Sequence, residues 1–267
     1  MNTTIGFIGT GNMGGALARA AAKTTGNLLL ADHDASLSQN LAQELGCRAC
    51  SNEEIAAQCG LIFLGVKPQY LSGMLSALAP SLAARTEPFV LVSMAAGVTM
   101  ASVRAMAGGD YPVIRIMPNT PVRVGGGMIL FDHTDNVPEE ALTLFRDTLS
   151  QAGRLDPLPE RLIDAGCALT GCGPAFVDLF LEALADGAVA CGLPRDKAMT
   201  YAAQMVMGSA KLALESGQHP GQLKDAVCSP GGSTIAGVRT LEQCGFRSAV
   251  IEAVDAAYIR TCELGKQ

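Results

Sequence analysis

The sequence predicts an α/β protein: a mainly parallel sheet with helices on both faces, followed by an all-helical second domain. Three observations predict it. Short apolar runs alternate with helix-like stretches through the first half of the 267 residues. A glycine motif, Gly9-Thr10-Gly11-Asn12-Met13-Gly14, directly follows the first apolar run and opens the first helical stretch. Past Pro157-Leu158-Pro159 the strand signals stop. The boundary is placed there, giving domains over 1–158 and 159–267.

In chain order, Ile5-Gly6-Phe7-Ile8 reads as a strand and Met13 to Lys23 as a helix. Leu28-Leu29-Leu30 is a second strand, and Ser36 to Leu45 is a helix with Ser36 as its N-cap. A short strand at Arg48-Ala49 precedes a helix over Glu53 to Gln58. Leu61 to Val66 is a buried strand stopped by Lys67-Pro68. Strands at Phe89 to Ser93, Val113 to Ile116 and Met128 to Phe131 complete the sheet, with right-handed crossovers between parallel neighbours. In the second half, Phe176 to Cys191 is apolar nearly all round, broken only by Asp178, Glu182 and Asp186, which predicts a helix buried on most sides. A helical domain of this size is small for so hydrophobic a helix, so the expectation is that it packs against a partner subunit. Asp196 to Ser216, Thr234 to Cys244 and Arg247 to Gly265 also read as helices.

Composition narrows the function. Apolar residues make up 49% of the chain and aromatics 4%, with no Trp, so the core is built from Ala, Leu, Val, Ile and Met. A formal charge of −6 argues against nucleic acid, whose phosphates demand a basic face. No Lys/Arg run marks a membrane patch, and no apolar stretch is read as approaching the roughly 18 residues of a spanning helix. Met1-Asn2-Thr3-Thr4 carries no basic region, so no secretory signal is read. Nine Cys, an odd number, read as reduced thiols of a cytoplasmic protein. Cys47 and Cys50 form a CxxC without the second ligand pair a zinc site wants, so no metal is expected.

The glycine motif is a dinucleotide fingerprint in a Rossmann-type setting. Gly9 permits the tight turn, Gly11 lets a pyrophosphate approach the backbone, and Gly14 lets helix and strand pack closely. The helix N-terminus then offers N–H groups to the phosphates. Asp32, eighteen residues after Gly14 and at the end of the second strand, stands where an acid holds the adenosine ribose of NAD. Capping the following helix is its alternative role. His33 and Asp34 stand where an Arg for a 2′-phosphate is expected, which read alone favours NADH.

The chain resembles pyrroline-5-carboxylate reductases. The likeness lies in Gly6-Phe7-Ile8-Gly9-Thr10-Gly11-Asn12-Met13, Val66-Lys67-Pro68, Ser93 with Ala95-Ala96-Gly97-Val98-Thr99, and Met117-Pro118-Asn119-Thr120-Pro121. It continues in His219-Pro220-Gly221, Leu223-Lys224-Asp225, Cys228-Ser229-Pro230-Gly231-Gly232-Ser233-Thr234-Ile235 and Gly245-Phe246-Arg247. It runs in order from residue 5 to about 264. The resemblance implies reduction of 1-pyrroline-5-carboxylate to L-proline with NADH or NADPH, the cofactor preference staying open. It also implies a homodimer, or a higher oligomer built on dimers, and a site between the two domains. It implies that the substrate carboxylate is held by Ser229, Gly231, Gly232 and Ser233, and that Thr234 contacts the ring nitrogen. Thr234 also reads as an ordinary N-cap. The resemblance further gives Ile8, Val66, Lys67, Pro68, Ala95 and Ala96 as cofactor contacts, Asn52 near the adenosine ribose, and Glu160 near the substrate pocket. Lys67 as a solvated lysine, Asn52 as an N-cap and Glu160 as a surface helix-start residue are the plain alternatives.

The chemistry is coherent from below. Reducing a C=N bond takes a hydride and a protonated imine nitrogen. A cyclic imine is basic enough that a positioned hydroxyl suffices to steady the N–H and help deliver the proton, most of the rate coming from alignment. Three features depart from the family pattern: Ala226 where some members carry Asn, Thr170-Gly171-Cys172-Gly173-Pro174-Ala175-Phe176 with Cys172 as a small thiol, and Asp32 itself. The rivals are a reductase of pyrroline-2-carboxylate or a six-membered cyclic imine, a β-hydroxyacid dehydrogenase using Lys197 or Lys211, and a non-catalytic nucleotide sensor.

Overall fold

The computed structural model describes residues 3–264. Met1 and Asn2, on which the absence of a signal partly rests, and Gly265, the expected end of the last helix, lie outside the described residues. The chain forms two compact units: one through Cys172 joined by the chain from Ala257 on, and one over Gly173–Ala256.

The first unit carries eight strands: β1 (Ile5–Ile8), β2 (Leu28–Ala31), β3 (Arg48–Ala49), β4 (Leu61–Leu64), β5 (Val90–Ser93), β6 (Val113–Met117), β7 (Gly127–His133) and β8 (Gly153–Pro157). Their order is β3-β2-β1-β4-β5-β6-β7-β8. Every pairing is parallel except β6 with β7. That reversal has a simple cause. Only a 3₁₀ turn, Thr120–Val124, joins β6 to β7, too short for the crossover a parallel neighbour needs. The sequence did not reveal β8, whose residues Gly-Arg-Leu-Asp-Pro lack clean alternation.

Helices α1 (Asn12–Ala21), α2 (Ala35–Leu45) and α6 (Glu139–Leu149) cover one face of the sheet; α3 (Asn52–Gln58), α4 (Pro68–Ala83) and α5 (Met100–Ala107) cover the other. Alternate strand residues feed the two cores. Phe7, Leu30 and Phe63 enter the first, and Ile8, Leu29, Ile62 and Leu64 the second. Phe7 and Phe63, register partners across β1 and β4, stack with ring centroids 4.4 Å apart.

Two helix starts differ from the sequence reading. Asp34, not Ser36, caps α2, its carboxylate accepting the Ser36 N–H at 3.0 Å and the Ser36 hydroxyl at 2.6 Å. Ser51, not Asn52, caps α3 by accepting the Glu54 N–H at 3.1 Å. In both cases an oxygen one or two residues earlier reaches the free N–H first. The Cys47 and Cys50 thiols are free, and burial pushes both up, which disfavours the thiolate a metal needs.

By its contacts the first unit also takes in the helix after residue 158. Helix α7 (Glu160–Thr170) packs on β6 and β7 and is tied there by buried polar bonds. Arg115 on β6, 2% exposed, donates to Asp164 at 2.6 Å and to Glu160 at 3.4 Å. The Glu160 carboxylate also accepts the Met100 N–H at the start of α5, at 2.7 Å. Asp132 on β7 accepts the Glu160 N–H at 2.6 Å. Asn119 donates to the Thr170 carbonyl at 3.0 Å and accepts the Met128 N–H at 2.9 Å, pinning the far end of α7. Removing the buried cation leaves two carboxylates uncompensated. Arg115→Met is therefore expected to destabilise the protein by about 3 kcal/mol and lower Tm by about 6–12 °C, read by thermal unfolding. A shift under about 2 °C would show that water replaces the guanidinium at no cost.

The second unit consists of α8 (Gly173–Ala190), α9 (Arg195–Ser216), α10 (Pro220–Ala226), α11 (Ser233–Gln243) and the start of α12 (Phe246–Leu264). Helices α8 and α9 pack as a hairpin closed through Gly192 (φ +98°) and an Asp186–Arg195 ion pair. His219 caps α10 in a capping box with Gln222. The expectation that Phe176 to Cys191 is buried on most sides does not hold within one chain: of α8 only Ala185 is buried. Val177, Leu179, Met205, Met207, Leu214 and Ile251 are likewise exposed. Within Glu160–Ala190 a window of 18 residues reaches mean hydropathy 1.4, long and apolar enough to cross a membrane. This corrects the expectation that no stretch approaches that length. Asp178, Glu182 and Asp186 would each be costly near a bilayer centre, so another protein surface suits α8 better than lipid.

Candidate active site

The carboxyl ends of β2, β1, β4 and β5 lie side by side, and the strand order reverses between β1 and β4, where open sheets of this kind take ligands. Ile8 ends β1 and is buried. Gly9 turns the chain at φ +93°, where an added Cβ would stand 2.7 Å from the Gly65 backbone. An added Cβ on Gly14 would stand 2.0 Å from the Gly9 carbonyl oxygen. The second crossing partner, Gly65, was missed in the sequence, although a glycine closing β4 opposite the motif was its visible mark. Gly11 differs: an added Cβ there would meet nothing within 4 Å. It is the N-cap of α1, makes no side-chain cap bond, and no acid stands in the first turn. A backbone open to close approach before a helix mouth lacking an anion fits a cofactor diphosphate.

Asn12 is exposed and Met13 half-buried at that mouth. Thr10 is turned elsewhere. Its N–H donates to Asp32 at 2.6 Å and its hydroxyl to the same oxygen at 3.1 Å. The other Asp32 oxygen accepts the Asp34 N–H at 3.1 Å and meets His33 Nδ1 at 2.8 Å. Burial pushes the Asp32 carboxyl up, but the bonds from Thr10, Asp34 and His33 outweigh it and hold it below the usual carboxylate range. Bonds from the Ser36 hydroxyl and N–H do the same for Asp34. Asp32 is thus an anion whose acceptor sites are filled, and His33, 95% exposed, is the partner most readily displaced.

Val66 is half-buried after β4, Lys67 is exposed as the N-cap of α4, and Pro68 occupies its first turn. After β5, Ala95 is buried and Ala96 half-buried. Asn52 is the first residue of α3. Glu160 is committed to Arg115 and the Met100 N–H, so its visible work is to hold the loop after Ala95–Ala96 against α7.

In the second unit, Ser229–Gly232 forms a tight turn closed by the Gly232 N–H on the Ser229 carbonyl at 3.0 Å, with Gly231 at φ +69°. An added Cβ on Gly232 would lie 2.4 Å from Ser229 Oγ. Gly232 is the N-cap of α11, makes no side-chain cap bond, and no acid stands in the first turn. Thr234 is therefore not the cap; it is the second residue of the helix and exposed.

Known proteins resemble the chain along its whole length. A family model for pyrroline-5-carboxylate reductase dimerisation matches residues 160–264, and one for coenzyme F420-dependent NADP oxidoreductase matches 4–97. The chain is 41% identical to pyrroline-5-carboxylate reductase of Synechocystis sp. over the whole of both chains. It is 40% identical to that of Escherichia coli, again over the whole of both. The chain belongs to the pyrroline-5-carboxylate reductase family. Among solved structures, the pyrroline carboxylate reductase of Plasmodium falciparum with NADP bound superimposes with TM-score 0.85 at 32% identity, covering 98% of each chain. The Streptococcus pyogenes 1-pyrroline-5-carboxylate reductase gives 0.87 at 31%, covering 97% of this chain and 98% of that one. The first landmark of this reductase fold is thus the glycine loop, and the exposed apolar faces of α8 and α9 fall inside its dimerisation segment.

Proposed function

We propose that this protein reduces 1-pyrroline-5-carboxylate to L-proline, the last step of proline biosynthesis, using NAD(P)H. The observation that carries the reading is the Ser229–Gly232 turn running into the start of α11, which no side chain caps, with Thr234 exposed on its first turn. It pairs an anion-binding backbone with a hydroxyl two residues past the turn.

Bound through the β1 loop, the dinucleotide supplies a hydride from the nicotinamide. Gly9, Gly11, Asn12, Met13 and Gly14 would hold its diphosphate at the mouth of α1. Val66, Lys67, Pro68, Ala95 and Ala96 bound the nicotinamide side, and Asn52 the adenosine side. Thr10 acts through Asp32, fixing the loop. Ser229, Gly231, Gly232 and Ser233 take the substrate carboxylate, and Thr234 donates to the imine nitrogen. The C=N carbon gains the hydride, and the nitrogen gains or retains a proton, giving the secondary amine. Glu160 steadies the loop after Ala95–Ala96 from behind. The reading of residues 1–158 as cofactor-binding and 159–267 as substrate-binding and dimerising is part of the proposal. So are a homodimer or larger assembly, which the exposed apolar helices favour, and a cytoplasmic site, which free thiols suit.

The test is NADH and NADPH oxidation against 1-pyrroline-5-carboxylate, pyrroline-2-carboxylate and a six-membered imino acid. The five-membered 5-carboxylate is expected to give the highest kcat/KM; equal or greater turnover of either other imine would overturn the assignment.

We further propose a preference for NADH, because two acids, Asp32 and Asp34, stand on the β2–α2 connection, where a 2′-phosphate would meet repulsion. Asp32→Ser is expected to raise Kd for NADH about tenfold while NADPH binding changes less, as measured by calorimetry. An equal loss for both would leave Asp32 only its bond to Thr10.

A further inference from the structure

The 3₁₀ turn Thr120–Val124 packs against α1 and is anchored by Val122, 2% exposed in the core. The next residue, Arg123, is exposed and donates from Nη2 to Asn12 Oδ1 at 3.2 Å. Asn12 is the first residue of α1, so the guanidinium stands beside the positive end of that helix. A cation there is unfavourable when nothing negative intervenes. Among the described residues, no carboxylate pairs with Arg123, and the first turn of α1 holds no acid. Two positive features converge on the loop where Gly11 leaves the backbone open.

We propose that Arg123 is a cofactor-binding residue that engages the diphosphate of the dinucleotide, the Asn12 amide oxygen holding its guanidinium at the mouth of α1. The planar fork suits the two phosphoryl groups, which carry the opposite charge and offer paired acceptors. Because the contact is to the diphosphate, Arg123 serves NADH and NADPH alike and leaves the choice between them to the Asp32 side. The inference rests on the reading of the β1 loop as a dinucleotide site.

The test needs no imine. Binding of ADP-ribose, NADH and NADPH to the whole protein is measured by calorimetry for wild type, Arg123→Met and Arg123→Lys. Arg123→Met is expected to raise Kd for all three ligands by a common factor of about ten, or about 1.4 kcal/mol, with Tm unchanged. Arg123→Lys is expected to recover part of the loss, and the wild-type Kd to weaken with added salt more steeply than that of Arg123→Met. Unchanged affinity in a folded Arg123→Met would overturn the inference while leaving the loop assignment intact, and a loss confined to NADPH would overturn it by moving the arginine to the 2′-phosphate. A wild-type protein binding none of the three would remove the loop assignment and the inference together.

Discussion

Gly14→Ala and Gly11→Ala, two methyl groups added three residues apart, are expected to fail in opposite ways. In Gly14→Ala the new carbon starts 2.0 Å from the Gly9 carbonyl oxygen and 3.1 Å from its carbon. Both are backbone atoms of a turn already fixed at φ +93° and hemmed by Gly65. No flexible side chain is there to yield, so α1 must lift from β1. Overpacking of this kind costs about 3 kcal/mol or more, and Tm is expected to fall by about 6–12 °C, with cofactor affinity lost because the loop is displaced. In Gly11→Ala the carbon enters open space, and φ −64° suits any residue. Tm is expected to stay within about 2 °C. The same open space is where the diphosphate must come closest, so Kd for NADH is expected to rise about 100-fold, or about 2.7 kcal/mol. Thermal unfolding and calorimetry on the two variants separate these results. Normal cofactor binding by Gly11→Ala would show that the diphosphate does not lie over this loop.

The contrast also indicates what the sequence disclosed. The glycine motif was legible because its constraint is local: strand, turn and helix start within ten residues, each glycine with its own steric reason. The strands were legible because both faces of the sheet are covered, so runs such as Leu61–Leu64 are apolar throughout. What escaped was set by partners distant in sequence. Arg115 finds its partners, Glu160 and Asp164, on α7, and Asn119 binds the carbonyl of Thr170, each more than forty residues further along the chain. For the same reason the contacts of the first unit run on through Cys172, past the composition change at Pro157-Leu158-Pro159. Caps were displaced by a residue or two because Asp34, Ser36, Ser51 and Asn52 are all competent caps, and only the backbone geometry decides among them. Arg123 carried no signal, since its meaning depends on a turn that lays residue 123 beside residue 12.

Thr234→Ala is expected to lower kcat for 1-pyrroline-5-carboxylate by about 100-fold or more, the low end of what a positioned proton donor contributes. Its stability should not change. Had Thr234 been the cap of α11, losing its oxygen would cost about 1 kcal/mol. The cap is Gly232, and Thr234 is exposed on the first turn, so a structural account predicts no defect of any kind. Thr234→Ser keeps the hydroxyl and is expected to keep most of the turnover. Cofactor Kd should be the same in all three proteins, because the hydroxyl belongs to the loop that takes the imine. The defect should also narrow as pH falls, since an imine protonated in solution no longer needs its proton delivered at the site. Steady-state kinetics across pH, with Tm and cofactor Kd measured alongside, give a decisive pattern. A kcat for Thr234→Ala equal to wild type would remove the hydroxyl from the chemistry. A loss matched by a fall in Tm would instead return Thr234 to the role of a helix-start residue.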